Sequence, residues 1–358
     1  MPPDTLQHLL IVSAHFSKVP LALRERLALG DQDPHPAALL ARMPGIEEAM
    51  WLEAFDRVAA VLLAEDELQA RRSLARLWDP RALAAGPATL GASCERCAIY
   101  RGEAARHHLL GSLAWLDAAF PGSLYLRREF REAWRMSWQS GGMKAKLDLL
   151  CREVGSLAET LVPDPAAGYW PAAAESRIAP AEAAPAALAV ARAHLAPLPG
   201  RRALVLGTGS LAARLARALH AAGARVAIPG VHSVAARDLA QSLGAEWATM
   251  SELAARPRAY DVVLNAAADR HRWGFSGPLQ APLMLDFAFP RALAREGAAG
   301  TLFYDVDDLA RQARALAQGG HLAPLRRPAT ALPASAQRPL MPAPVRAPEA
   351  ELAAVSAA

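Results

Sequence analysis

The residues of this chain best suited to chemistry bind rather than react. The segment Leu204-Val205-Leu206-Gly207-Thr208-Gly209-Ser210-Leu211-Ala212 reads as a strand, a turn and the start of a helix. In such a turn Gly207 permits the tight bend, Gly209 lets a pyrophosphate approach the backbone, and Ala212 lets the helix lie close to the sheet. The helix N-terminus, with Thr208 and Ser210 beside the glycines, offers free N–H groups and a positive dipole end to phosphates. The next strand ends Val226-Ala227-Ile228-Pro229-Gly230-Val231-His232-Ser233. It has neither the acid that holds ribose hydroxyls nor the arginine that accommodates a 2′-phosphate; His232 and Ser233 are the only weak phosphate donors there.

Residues for covalent or metal chemistry are sparse. Three cysteines, Cys94, Cys97 and Cys151, make no disulfide framework and fit a reducing compartment. Cys94-x-x-Cys97 is half of a zinc site. The other half would need Cys151 or His107-His108, which stand at no recognised spacing, so no metal is expected. Two thiols in an apolar hairpin and a histidine pair on a helix surface are the simpler readings. Phe130, Trp134 and Trp138 at helical spacing read as core, and Asp305, Asp307 and Asp308 as caps at a helix N-terminus.

The elements that must position these residues fall into two halves. In the first, residues 8–14 and 49–52 read as strands, the latter leading into a turn at Phe55. Residues 24–29, 36–43, 55–78, 102–117 and 124–160 read as helices, the last broken at Gly141-Gly142. A Pro- and Ala-dense stretch over 162–187 marks a boundary, and a helix over 186–196 follows. Strands at 202–206, 224–228, 261–264 and 283–286 then alternate with helices at 210–222 and 233–243, the signature of a parallel doubly wound sheet. The expected fold class is therefore α/β, an N-terminal α+β domain followed by a Rossmann domain. The boundaries are 1–160 for the first domain, 161–198 for the connector and its helix, 199–318 for the Rossmann domain and 319–358 for a disordered Pro/Ala-rich tail.

At 358 residues the chain is long enough for two cores. Its net charge of +4 comes from scattered arginines, which argues for a solvated surface rather than a nucleic-acid patch. No uninterrupted apolar run reaches the ~18 residues of a membrane span, and Leu9-Leu10-Ile11-Val12 is too short for a secretion signal. A cytoplasmic location without membrane contact is expected.

Several motifs resemble those of glutamyl-tRNA reductase, the NADPH-dependent first enzyme of the five-carbon route to tetrapyrroles (porphyrin biosynthesis). The resemblance runs from about residue 8 to about 312. His15-Phe16-Ser17-Lys18-Val19-Pro20-Leu21-Ala22-Leu23-Arg24-Glu25 is similar to the family's Asn-His-Lys-Thr-Ala-Pro followed by Leu-Arg-Glu. Asp286-Phe287-Ala288-Phe289-Pro290-Arg291 is similar to Asp-Ile-Ala-Val-Pro-Arg, and Tyr304-Asp305-Val306-Asp307-Asp308-Leu309 to the segment leading into the family's long spinal helix. Gly102-Glu103, His108-Leu109 and Leu116-Asp117 resemble a helix before its Gly-Glu-Pro-Gln turn, which here reads Gly122-Ser123-Leu124-Tyr125. The family's Ser-Thr-Cys-Asn-Arg-Thr-Glu, with its nucleophilic cysteine, falls on Glu53 to Ala59, so Phe55 stands at the nucleophile and only Arg57 persists. The family's active-site histidine falls on Tyr100.

The resemblance implies that Arg57 and Arg24 bind substrate, Arg57 through the glutamyl carboxylate, and that Gly207, Thr208, Gly209 and Ser210 bind NADP. A competing match, Ser93-Cys94-Glu95-Arg96-Cys97-Ala98-Ile99-Tyr100, offers Cys94 as the nucleophile, but Cys94 stands too near Asp117 and too far from Pro20. The family's C-terminal dimerisation helices find no counterpart.

The family's reaction uses a thiolate as nucleophile and leaving group, and neither Phe55 nor Asp56 replaces it. Two functions stay open. One is a divergent, catalytically impaired reductase-like protein that acts by binding a nucleotide, a small-molecule ligand or tRNA. The other is an active NAD(P)H-dependent oxidoreductase acting on glutamyl-tRNA or another activated carboxyl or carbonyl substrate, with its chemistry moved to Cys94 or needing no covalent thiol.

Overall fold

The run Leu9-Leu10-Ile11-Val12-Ser13-Ala14-His15 lacks the apolar–polar alternation of a half-exposed strand, because the strand it forms is covered on both faces. In the computed structural model, which describes residues 6–30, 32–78, 96–114, 119–120, 125–161, 183–229, 234–249, 260–267, 281–293 and 301–323, this strand is β1 (Leu9–His15). It belongs to an antiparallel sheet with β2 (Glu48–Ala54), β3 (Arg57–Leu63) and β4 (Ala98–Arg101), in the order β2-β3-β1-β4. Ala54 pairs with Arg57, so Phe55-Asp56 is a two-residue hairpin turn.

One face of this sheet carries Leu10, Val12, Trp51, Val58, Ala60 and Leu62. It packs on α1 (Leu21–Leu27), α2 (Pro36–Leu40) and α3 (Glu67–Trp78). The opposite face, with Leu9, Ile11, Met50, Leu52, Val61 and Leu63, lies under α4 (Gly102–Leu113), α5 (Tyr125–Gln139) and α6 (Ala145–Leu161). The buried Glu48 of β2 accepts the amides of Lys144, Lys146 and Leu147, so a strand carboxylate satisfies donors at the N-terminus of α6. The break between α5 and α6 falls at Gly141-Gly142, as the sequence predicts. Gly141 has φ +77°, and a Cβ on Gly142 would lie 2.4 Å from the carbonyl carbon of Ala37.

The second sheet is wholly parallel and contains β5 (Arg202–Leu206), β6 (Arg225–Pro229), β7 (Glu246–Ala248), β8 (Val262–Asn265), β9 (Leu283–Asp286) and β10 (Leu302–Tyr304). Its order, β7-β6-β5-β8-β9-β10, is that of a doubly wound Rossmann sheet with the switch between β5 and β8. The accompanying helices are α7 (Ala183–Leu195), α8 (Ser210–Ala221), α9 (Val234–Leu243) and α10 (Val306–Ala317). Asp305 caps α10, accepting from the amides of Asp307 and Asp308, while Asp308 accepts from the amide of Asp305 in return. One hydrophobic cluster runs from β1–β3 through Phe55 and Phe120 to β5, β8, β9 and α10, so the two sheets share a core.

The α/β class, the order of the two halves and the strands at 202–206 and 283–286 agree with the sequence reading. Three expectations need correction. Residues 55–78 are not one helix: Val58-Ala59-Ala60-Val61-Leu62-Leu63 is a strand, and helix begins only at Glu67, because a short apolar run fits either a buried strand or a buried helix segment. Trp138 is 49% exposed and outside the core, whereas Phe130 is buried and Trp134 packs against the same cluster. His107 is exposed, but its neighbour His108 stacks flat on Tyr100 with ring centroids 3.7 Å apart, so they are not a surface pair. The short strands β4, β7 and β10 carried no pattern long enough to register.

Cys94, the strand end at 230–233, Leu116-Asp117, the turn at 122–124, most of the Pro/Ala stretch and the tail from 324 lie outside the described residues. Among the described residues no helix is long and apolar enough to cross a membrane, and no cluster of three His, Cys, Asp or Glu could hold a metal.

Candidate functional site

The nucleotide turn sits at the carboxyl ends of β5 and β8, where the parallel order switches. Gly207 has φ +114°, and a Cβ there would stand 2.9 Å from the amide of Ala267 and 3.0 Å from the carbonyl of Ala266. Only glycine meets both conditions. Gly209 is the N-cap of α8 and has no side-chain cap; a Cβ built on it meets nothing within 4 Å. Thr208 and Gly209 are exposed while Ala212 beneath them is buried. The turn thus combines one glycine in close backbone contact, one facing open space, and a helix start without a side-chain cap.

The floor of this crevice connects to the other half of the chain. Asn265, at the end of β8, donates to Asp286 of β9 at 2.8 Å. Asp286 also accepts the amides of Ala288, Ala292 and Leu293, shaping the loop after β9. Burial nevertheless pushes its carboxyl above the usual carboxylate range. The loop presents Arg291, which holds both oxygens of Glu25 on α1, at 2.8 and 2.5 Å. The adjacent Arg24, fully buried, donates through Nε to the Val19 carbonyl, through Nη1 to the carbonyl of Phe55 and through Nη2 to Asp307 of α10. Consecutive residues of opposite charge on α1 therefore grip two opposite charges on the Rossmann half.

The structure places Phe55 and Arg57 on opposite faces of the first sheet. The Phe55 ring, 8% exposed, packs edge-on against Phe120 at 5.5 Å, and Phe120 approaches Phe287 of the loop after β9 at 6.2 Å. Three aromatic rings thus fill the space between the hairpin and the Rossmann loop. Arg57 points the other way, towards α4, where it donates to Ser112 at 2.5 Å and to both oxygens of Asp56. Burial by itself would raise the Asp56 carboxyl; the Arg57 charge and hydrogen bonds, aided by His15 and the Ala119 amide, outweigh it and hold the group below its ordinary value.

Of the residues singled out in the sequence, Arg24 and Phe55 come together, Arg57 is directed elsewhere, and Gly207, Thr208 and Gly209 form a separate crevice. Cys151 is buried beside Met50 and its thiol is pushed far up by burial, which removes it as a nucleophile at neutral pH. Cys97 is half-buried against the core that holds Phe55. Sequence reasoning missed Phe120 and Ser112; it named Glu25, Phe287 and Arg291 within motifs but not the Glu25–Arg291 pair or the approach of Phe287 to Phe120. None has a local signal, because each acts through a partner far away in the chain; Asp56, next to Arg57, was the one that charge alone could have flagged.

Comparison with known proteins bears on both halves. A family model described as shikimate / quinate 5-dehydrogenase matches residues 189–312. The chain is 27% identical over 328 residues to the glutamyl-tRNA reductase of Deinococcus radiodurans, covering 86% of this chain and 85% of that one. It is 30% identical over 319 residues to the glutamyl-tRNA reductase of Myxococcus xanthus, covering 84% of this chain and 67% of that one. Among solved structures, glutamyl-tRNA reductase from Methanopyrus kandleri matches 87% of this chain and 75% of its own, at 21% identity and a TM-score of 0.41.

Proposed function

The chain belongs to the glutamyl-tRNA reductase family, and from that premise we propose that it is a member that has lost acyl capture and works by binding, with NADP(H) as its first ligand. The observation that carries the reading is Phe55. At the hairpin position aligned with the family's nucleophile stands a phenyl ring packed against Phe120, with its carbonyl engaged by Arg24. A thioester needs a sulfur that is ionised at the moment of attack and accessible to the acyl carbon. A buried phenyl ring offers neither.

The nucleotide crevice, by contrast, keeps its parts. Gly207 holds the turn against Ala266 and Ala267, Gly209 leaves open space, and the uncapped start of α8 presents amides. These residues fit a pyrophosphate, and Thr208 and Ser210 flank it. A nicotinamide dinucleotide bound there supplies hydride chemistry; this chain's own residues hold the phosphates and orient the group. The match to a dehydrogenase model over 189–312 supports the same ligand. We assign tRNA as a second partner, in the cytoplasm, on the strength of the family; such binding weakens steeply with salt.

The test of ligand binding is a nicotinamide fluorescence titration of the full chain with NADPH and NADH. Saturable enhancement is expected for the wild type. Gly207→Val should weaken it by about tenfold or more, because strain at a positive φ costs about 1–3 kcal/mol and a branched side chain also meets the Ala266–Ala267 backbone. No enhancement with either nucleotide would leave an empty Rossmann domain. Catalysis by a relocated thiol would instead appear as rescue of a 5-aminolevulinate auxotroph that is lost in Cys94→Ser.

A further inference from the structure

The hairpin carries a second feature, on the face of the sheet opposite the aromatic rings. Arg57 is 1% exposed. Its Nε and Nη2 donate to the two oxygens of Asp56, at 3.0 and 3.2 Å, in the parallel fork that guanidinium groups make with carboxylates. The remaining nitrogen, Nη1, donates to Ser112 of α4. The Ala119 amide adds a third bond to the carboxylate at 3.2 Å, and His15, opposite Arg57 across β1 and β3, lies close enough to act on its charge. Donors from two separate stretches of chain, the start of β3 and residue 119, converge on one planar anion, and the end of β1 adds the charge of His15. None of them is a strand-pairing bond, and the anion belongs to the residue next to Arg57.

A ligand tethered one residue from its site has an effective concentration that free ligands in solution do not match. Resting on the reading that this hairpin captures no acyl group, we propose that Asp56 is a built-in ligand that keeps a carboxylate site around Arg57 closed. Removing the Asp56 carboxylate opens that site to small monocarboxylates and to the side-chain carboxylate of an amino acid. The arrangement is an autoinhibitory contact at a position where the chain retains the arginine and has supplied its own anion.

Thermal unfolding of the full-length Asp56→Gly chain in sodium formate or acetate, against sodium chloride at equal ionic strength, tests this. A site that binds only in the folded state should raise Tm by about 2 °C once carboxylate is about tenfold above its dissociation constant. The wild type should show no carboxylate-specific rise, and neither should Asp56→Ala/Arg57→Leu, which removes both charges. If Asp56→Gly does not fold in chloride, Asp56→Asn, which keeps the turn and one acceptor oxygen, carries the same titration. The proposal is overturned if formate raises Tm no more than chloride in either single variant, if the wild type responds equally, or if the double variant still responds. Acyl transfer to the wild-type chain would remove the reading of a silent hairpin while leaving the formate titration to stand or fall by itself.

Discussion

Arg24→Met should destabilise the protein by about 3–5 kcal/mol, the range for removing one partner of a buried ion pair, and lower its melting temperature by on the order of 10 °C. The reason is the number of groups that depend on one side chain. Arg24 is wholly buried and serves the Val19 carbonyl, the Phe55 carbonyl and the Asp307 carboxylate, with its guanidinium 5.8 Å from the Phe289 ring. Methionine fills part of the volume and leaves three acceptors without their donor. Lysine keeps the charge but cannot point three donors in a plane, so Arg24→Lys should recover less than half of the loss.

The deficit of Arg24→Met should also depend on pH. Burial already pushes the Asp307 carboxyl up, against the pull of Arg24 and with a further push from Asp305. Without Arg24 the folded-state value rises further. An acid whose folded value is raised gains stability as it is protonated, so the gap between wild type and variant should narrow as pH falls into the carboxylate range. Chemical denaturation at neutral and mildly acid pH reads this directly; a gap that widens on acidification contradicts the assignment of Asp307 as the partner.

Phe55→Ala is the second large effect, at about 3–5 kcal/mol for truncating a buried phenylalanine. The edge-on contact with Phe120 adds to the loss of transfer energy, and the shared core limits how far the site can collapse. Phe55→Leu should cost well under half as much. If Phe55→Ala changed stability by less than ~1 kcal/mol in a denaturant titration, the ring would not be a packing element and the site would be more open than described. Phe55→Cys supplies a thiol, but into a cavity lined by Phe120, with Arg57 turned away and bound to Asp56. A sulfur alone is therefore not expected to rebuild the chemistry.

The sequence was legible wherever the signal was local. The glycine spacing at 207 and 209 predicted a turn whose φ and close contacts need glycine, and three aspartates at 305–308 predicted the cap that α10 carries. Gly141-Gly142 predicted a helix break by the same kind of short-range rule. Residues 58–63 carry no strand signal because a fully apolar run has no period to measure; the hairpin turn at Phe55-Asp56, pairing Ala54 with Arg57, makes them a strand. At the site, the phenyl ring at position 55, on which the proposed loss of acyl capture rests, was legible in the sequence. The partners around it were not. Phe120, Phe287, Asp307 and Arg291 meet the hairpin and α1 only after two sheets have packed on one core, and no spacing along the chain encodes that meeting.

The central claim, that this member of the family captures no acyl group, is tested most directly by incubating the full-length chain with tRNA charged with labelled glutamate. The reaction is quenched in acid and assayed for label covalently attached to protein. No label is expected, with or without NADPH, and none in Phe55→Cys. Label on the wild-type chain that hydroxylamine releases, as it releases a thioester, would contradict it, and loss of that label in Cys94→Ser or Cys97→Ser would show where the chemistry had moved.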